Sequence, residues 1–498
     1  MQKKFLTSLV ILLFLNLLIK PFWILGIDRV VNNIVGAQEY GFYFAIFNFS
    51  FLFNILLDVG LTNFNNRNIS QNSHLLNKYF SGIVVLKILL SIVYIIITIS
   101  IGLIIGYNSN QMQLLYVLGF NQILISFILY LRSNISGLHF FKTDSLISVL
   151  DRFLMILFCS VLIWGNITNQ KMTIQWFVYA QTTAYLLTAA VAFIIVVRKS
   201  NFSKLYWNSK FFIVIIRQSL PYALLVLLMT FYNRIDSVMI ERLLSGNEGA
   251  YQSGIYASAY RLLDATNMIA YLFSVLLLPI FARMIKQKQD VGKMVKLSFS
   301  LLITPAIIIS FSCIFYRYEI MNMLNPQHTN ETIEIFQSRL NQGAFVFAAL
   351  MGCFIAISTT YIFGTLLTAN GNLKQLNIFA SIGMLVNIAL NFIVIPVYLA
   401  SGSAVVCIIT QFGTAALQMG YAIIKFKFKI RWIIIFRFVF FVIGLLLIQY
   451  LFKQFNFEWH YKFILLILAS FTYAFVLKLI NVKEIIHIFK LTEEKENL

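Results

Sequence analysis

Apolar runs of about 20 residues or more, the length that crosses a hydrocarbon core of roughly 30 Å, recur along the whole of this 498-residue chain. They constrain its fold more than any other feature. With 60% of residues hydrophobic and only 11% charged, a soluble core cannot absorb this much apolar surface. No segment between the runs is long enough to fold as a soluble domain, so a length-based domain count does not apply. The expected fold class is an all-α integral membrane protein, and its function must sit between helices.

Apolar runs broken by polar clusters place helices at 5–27, 40–61, 80–106, 112–131, 145–164, 174–197 and 211–243. The same reading continues at 253–282, 297–316, 343–368, 375–395, 402–424, 432–452 and 462–481, for about 14 transmembrane helices. If Lys3 and Lys4 are cytoplasmic, that side holds roughly 23 of the Lys and Arg residues against about 7 opposite, which sets both termini in the cytoplasm. The segments "VRKSNFSK", "FARMIKQKQDVGK" and "KFKFKIR", from Val197, Phe281 and Lys425, then face inward. They read as topology determinants that also meet anionic membrane lipid, and no nucleic-acid partner is expected despite the net charge of +20. The N-terminal run continues through Trp23 without a small-residue cleavage site and reads as a retained first helix. Cys159, Cys313, Cys353 and Cys407 show no paired spacing, so neither a disulfide framework nor a metal site is expected.

The chain repeats itself weakly. The first helix ends in "IDRV" (Ile27 to Val30), and the seventh contains "IDSV" (Ile235 to Val238). A short polar loop follows each, then a Gly-x-Tyr, "GFY" from Gly41 and "GIY" from Gly254, and each next helix runs to an Arg, Arg67 or Arg283. An even number of helices separates the copies, so they are expected to be parallel repeats related by an axis along the membrane normal. The expected domains are two parallel six-helix bundles with a pseudo-twofold, 1–204 and 205–427, followed by 428–498 with two extra helices and a cytoplasmic tail. Such a pair encloses a cavity that opens to either face if one bundle rocks against the other. That is transporter architecture.

Charges inside a bilayer are costly and mark candidate functional groups. "FYNRIDSVMIER" (Phe231 to Arg242) carries Arg234, Asp236 and Glu241 on the end of an apolar run. At about 1.5 Å per residue from Arg217, Arg234 falls toward the outer leaflet, where it either snorkels or faces a cavity. On the next helix Tyr256, Tyr260, Asp264, Asn267 and Tyr271 share a face, with Arg261 at its edge. That stripe either lines a cleft, its cations available to phosphate and its tyrosines to sugar-like ligands, or holds helices through an Arg261–Asp264 ion pair. Asp236 is expected to orient Arg234 or close an outer gate. In the first repeat Asn16 and Lys20 lie one turn apart beside Pro21, while Tyr43, Phe47, Ser50, Asn54 and Asp58 line one helix face. Lys20 is read as holding a phosphate, the alternative being a helix-end carbonyl. Lys87, nearer the cytoplasmic end, either snorkels or serves as a functional cation, and Asp58 reads as an inner gate or a cap.

From Ser381 the chain reads "SIGMLVNIALNFIVIPVYLASGSAVVC". This resembles the Gly-x3-Asn-x3-Asn, Ile-Pro-x-Tyr, Gly-x-Ala pattern of the Wzx-type polysaccharide-unit (O-antigen) flippases in the MATE-like multidrug/oligosaccharidyl-lipid/polysaccharide (MOP) superfamily. Gly383, Asn387, Asn391, Pro396, Tyr398, Gly402 and Ala404 carry it. "TANGNLK", "NRIDSVMI", "GIYASAYRLLD" and "LLLPIFARM" are similar to that family as well. Leu399 departs from the pattern, since the family often has Gly there, and a different turn is expected. Asn387 and Asn391 are read as serving helix packing or the turn into Pro396.

The resemblance implies a bacterial inner-membrane flippase that moves undecaprenyl-pyrophosphate-linked oligosaccharide to the outer leaflet for surface polysaccharide (lipopolysaccharide) biosynthesis. A polysaccharide polymerase and chain-length machinery would be its partners. No cofactor is implied, and coupling to a proton or sodium gradient stays open. Alternatives within the architecture are a flippase for lipid II or another polyprenyl lipid and a multidrug/cation antiporter. The antiporter would want acidic groups to dominate its cavity. A membrane glycosyltransferase or polymerase is disfavoured, because the longest outer loop, Arg317 to Asn341, is only about 25 residues and has no paired-carboxylate or His-rich pattern. A nucleotide-driven pump is disfavoured because no Gly-x4-Gly-Lys-Ser/Thr loop exists. The chain is therefore not expected to be an enzyme.

Overall fold

The computed structural model describes residues 15–480 apart from 17, 63–64, 67–68, 70–71, 139, 166–171, 201–206, 208, 328–330 and 430–431. The start of the first expected span and the tail beyond 480 lie outside the described residues. Among those described there is no strand. Helices meet every backbone hydrogen-bonding demand within one segment, which hydrocarbon requires.

The helices are α1 (within 15–35), α2 (Ala37–Leu52), α3 (Leu75–Ile105), α4 (Ser109–Gly137), α5 (Phe141–Trp164), α6 (Ile174–Val197) and α7 (Ser209–Leu243). After them come α8 (Asn247–Lys286), α9 (Gly292–Phe315), α10 (Arg317–Leu324), α11 (Ile333–Ala369), α12 (Leu373–Phe426), α13 (Trp432–Lys453) and α14 (Trp459–Val476). Among the described residues 11 helices are long and apolar enough to cross a membrane. The protein is a multi-pass membrane protein.

Three differences from the sequence reading have simple causes. The expected helix at 40–61 stops at Leu52 and passes through a 3-10 turn, Asn54–Leu57. The expected outer loop Arg317 to Asn341 is largely helical. It is made of α10 and the first turns of α11, which Thr332 caps by accepting from the Ile335 N–H. Hydropathy marks only the lipid-matched part of a helix, and these helices run past it. Finally, the two spans expected at 375–395 and 402–424 form one 54-residue helical stretch, α12, broken at Leu399.

That break explains the sequence pattern around it. Leu399 has φ 55° and ψ −143°, a conformation that suits glycine and strains a side chain with a Cβ. The reversal brings residue 402 onto Val394 and Tyr398. A Cβ on Gly402 would lie 2.5 Å from Val394 Cγ1, so glycine is required there. The Ala400 N–H next to the break donates to Gln252 Oε1 at 3.3 Å.

Contacts divide the chain into two units, Met1–Ser258 with Asn387–Ser403, and Ala259–Val386 with Ala404–Leu498. In the first, Phe80, Ile83, Tyr130, Leu131, Ile135, Ile147, Ala192 and Val196 form one buried cluster from α3, α4, α5 and α6. Here α2 and α8 cross backbone to backbone. A Cβ on Gly41 would lie 1.9 Å from the Ala250 carbonyl oxygen, and one on Gly254 1.8 Å from that of Ala37. The glycines of the two Gly-x-Tyr motifs thus meet each other, the small-residue approach that membrane helices favour.

In the second unit Ser310 Oγ donates to the Met351 carbonyl at 2.7 Å and ties α9 to α11. On α14, Tyr473 donates to the Phe440 carbonyl of α13 at 3.1 Å. Gly444 leaves room for that tyrosine's ring. The four cysteines are free thiols, with Cys353 and Cys407 Sγ atoms 3.7 Å apart in the packed interior.

Candidate functional site: buried charges in the helical units

The first unit gathers most of the intramembrane polar groups. Asp236, on α7, accepts at Oδ2 from the Tyr256 hydroxyl (2.7 Å) and at Oδ1 from Asn387 Nδ2 (3.0 Å) and Asn391 Nδ2 (2.8 Å). Asn391 also donates to Asn387 Oδ1 at 3.1 Å, because a four-residue spacing puts both amides on one face of α12. Asp236 and Tyr256 are each 1% exposed, and both asparagines 0%. An open cleft was expected at Asp236 and Tyr256. The structure instead encloses them, because the two asparagines and the phenol close around the carboxylate. Arg234 is half-buried with its guanidinium over the Phe51 ring, 5.5 Å from the centroid. In the first repeat, Asp28 Oδ2 likewise accepts from a tyrosine hydroxyl, that of Tyr40, at 2.6 Å.

Asp58 lies just past the 3-10 turn and has two duties. It accepts from the Thr62 N–H and hydroxyl, capping the next turn, and it pairs with Lys87 Nζ at 2.7 Å. Lys87 does not snorkel. It is 4% exposed, and its other hydrogens go to the Leu57 carbonyl and Ser126 Oγ. The break after α2 frees that carbonyl, so the turn and the lysine stabilise each other. Lys87→Met is expected to cost about 3 kcal/mol, the lower end for a broken buried pair because the Asp58 side chain is 23% exposed. Thermal unfolding in detergent reads the loss, and Lys87→Met combined with Asp58→Leu should recover part of it.

Asn16 Nδ2 donates to Ser148 Oγ at 3.1 Å, tying α1 to α5. Lys20, one turn on, is half-buried and precedes a π-helical turn, Trp23–Asp28, next to Pro21. Such turns inside α-helices often accompany function. Arg152 and Arg132 are electrostatic neighbours of Lys20, with Asp151 as an opposing carboxylate. Arg132 Nε donates to Asp144 Oδ1 at 2.8 Å, and the Arg152 guanidinium lies 5.8 Å from both the Trp23 and Tyr185 ring centroids. The Arg132 and Arg152 side chains are 21% and 28% exposed. Three partly accessible cations thus gather within the helices of one unit.

The sequence reading missed Arg132 and Arg152. The expected span ends at 131 and leaves Arg132 outside, whereas α4 continues to Gly137. The Asp151–Arg152 doublet ten residues into α5 was a usable signal, since charges so far inside a span need partners.

In the second unit Arg261 Nη1 and Asp264 Oδ2 are 4.0 Å apart, a loose ion pair with both side chains less than a fifth exposed. Tyr260 is buried, and Tyr271 meets the Tyr361 ring edge-on at 6.3 Å. Asn267 is half-buried, and its Oδ1 has no hydrogen-bond partner among the described residues. Among the described residues no cluster of His, Cys, Asp or Glu is fit to hold a metal.

The many-helix membrane fold, with charges held between its helices, is matched by solved membrane-protein structures. A lipid II flippase, MurJ, solved in an inward closed conformation, superposes with TM-score 0.69 at 14% identity, covering 96% of this chain and 99% of that one. A MATE protein in complex with MaL6 gives 0.59 at 12% identity, covering 84% and 96%. A MOP superfamily transporter from Pyrococcus furiosus gives 0.58 at 14% identity, covering 84% and 95%. At these identities the likeness is one of fold. A family model described as polysaccharide biosynthesis protein matches residues 8–285, more than half the chain, and the protein belongs to that family. No curated protein sequence matches it.

Proposed function

We propose that the protein is a flippase for polyprenyl-pyrophosphate-linked oligosaccharide, working by alternating access between two parallel six-helix repeats in a bacterial inner membrane, with both termini cytoplasmic. The observation that carries this reading is the group of Lys20, Arg132 and Arg152. A pyrophosphate crossing a bilayer needs fixed positive charge in place of its lost hydration. Asp144 and Asp151 neutralise part of that charge, so the cluster stays affordable without substrate and retains a surplus for an anion. Membership of a polysaccharide biosynthesis family supports an oligosaccharide as cargo, with O-antigen-type units the finer form of the proposal. Arg234, Arg261, Asp264 and Asn267 remain candidate contacts for the sugars or the handle in other conformations.

The test is leaflet-resolved translocation of a fluorescent undecaprenyl-pyrophosphate oligosaccharide in proteoliposomes. Lys20→Ala combined with Arg152→Ala is expected to slow transport at least tenfold, about 1.4 kcal/mol or more in the barrier, with melting close to that of the parent protein. Unchanged rates would remove the cluster from the transport path. Lipid II, tested in parallel, separates a general pyrophosphate flippase from one that selects its sugar.

A further inference from the structure

A second polar site lies away from the cationic group and within the first unit alone. A cavity of about 670 Å³ opens where α3 ends and α4 begins, flanked by the starts of α2, α6 and α8 and the end of α7. Its wall is built of amides, those of Gln38, Asn108, Asn110, Gln113, Gln175 and Asn247, with Phe42 and Tyr179 as ring surfaces.

The floor is fixed and its charge is internally cancelled. Arg242 holds Glu241 through Nε to Oε2 (2.5 Å) and Nη2 to Oε1 (2.6 Å), and Glu241 Oε1 also accepts from Gln111 Nε2 at 2.6 Å. Gln111 in turn is locked by reciprocal bonds with Asn108 that cap α4. The Arg242 guanidinium stacks 4.6 Å from the Tyr107 ring centroid. Burial, and then the nearby Glu241, hold the Tyr107 phenol above the ordinary tyrosine range, so it adds no charge.

This chemistry selects a ligand. With Glu241 and Arg242 paired to each other, the cavity's described lining offers no surplus cation to a phosphate. Among the described lining residues, exposed Glu39 is the carboxylate left as an acceptor. Paired donors and acceptors on amides beside ring faces match a neutral polyhydroxylated molecule, whose hydroxyls exchange hydrogen bonds while its ring C–H faces pack on an aromatic surface. We propose that this cavity is a saccharide subsite, which receives the sugar portion of the lipid-linked substrate at the membrane face opposite the termini. Its place in the transport cycle rests on the flippase reading above. Its ligand class rests on the cavity alone.

The test uses the full-length protein in nanodiscs with maltotriose and chitotriose as probes, read by saturation-transfer NMR and equilibrium binding. Gln113→Trp and Gln175→Trp fill the cavity from exposed helix-end positions and should leave melting unchanged. Saturable binding of at least one trisaccharide, weakened tenfold or more in both variants and not competed by inorganic pyrophosphate, is the expected result. Absence of saturable binding by either sugar, binding that persists in the filled variants, or displacement by calcium or pyrophosphate overturns it. Translocation of the lipid-linked oligosaccharide is assayed separately. Sugar binding without transport would refute the flippase reading and leave the subsite standing.

Discussion

Asp236→Ala is expected to lower stability by about 3 kcal/mol, roughly 1 kcal/mol for each of three buried donors left without an acceptor. The loss exceeds a single bond because three buried donors, from Tyr256, Asn387 and Asn391, lose their acceptor together. Asp236→Asn keeps one acceptor oxygen and should lose about half as much. Unfolding in detergent monitored by intrinsic fluorescence measures both, with Asn391→Leu as a third point. Parent-like melting of Asp236→Ala would mean that the network does not hold α7, α8 and α12 together. The reading of Asp236 as a gate to a ligand would then return.

Gly254→Val should be comparably severe. The α2–α8 crossing leaves no room for a Cβ, and the opposing atoms are backbone, which cannot rotate aside. Overpacking in a core ordinarily costs about 1–3 kcal/mol. Separating two helices at a backbone contact is expected to exceed the upper end, and to show as lost monodisperse protein in size-exclusion chromatography. Gly254→Ala is the milder form. Gly352→Ala and Gly413→Ala are the controls, because nothing lies within 4 Å of a Cβ at either position. Both should be neutral or gain up to about 1 kcal/mol of helix propensity. Equal behaviour at Gly254 and Gly352 would refute the close crossing.

Much of the site was half legible. Asp236, Tyr256, Asn387 and Asn391 were each singled out from the sequence, the first pair as a ligand face and the second as packing groups. Spacing along a helix tells which residues share a face, but not what that face meets. Only the approach of α12 to α7 shows that the two pairs are one network. For Lys87 the chain position left snorkelling open, whereas the break after α2 exposes a carbonyl and a carboxylate to it. The cavity floor of Gln111, Glu241 and Arg242 joins residues more than a hundred positions apart, and no local pattern announces such a pairing.

The sequence by itself determined that this is a helical membrane protein and where most of its helices run. Lipid length and backbone satisfaction are properties of short segments, and short segments record them, whereas the cost of a Cβ at Gly41 or Gly254 comes from a helix about 200 residues away. The tertiary structure alone decided which charges are spent on each other and which stay available. That choice depends on distances between helices remote in the chain, where a few ångströms convert a ligand group into a packing group. Glu241 is spent on Arg242, Asp236 is enclosed by the neutral donors of Tyr256, Asn387 and Asn391, and around Lys20, Arg132 and Arg152 three cations meet two carboxylates.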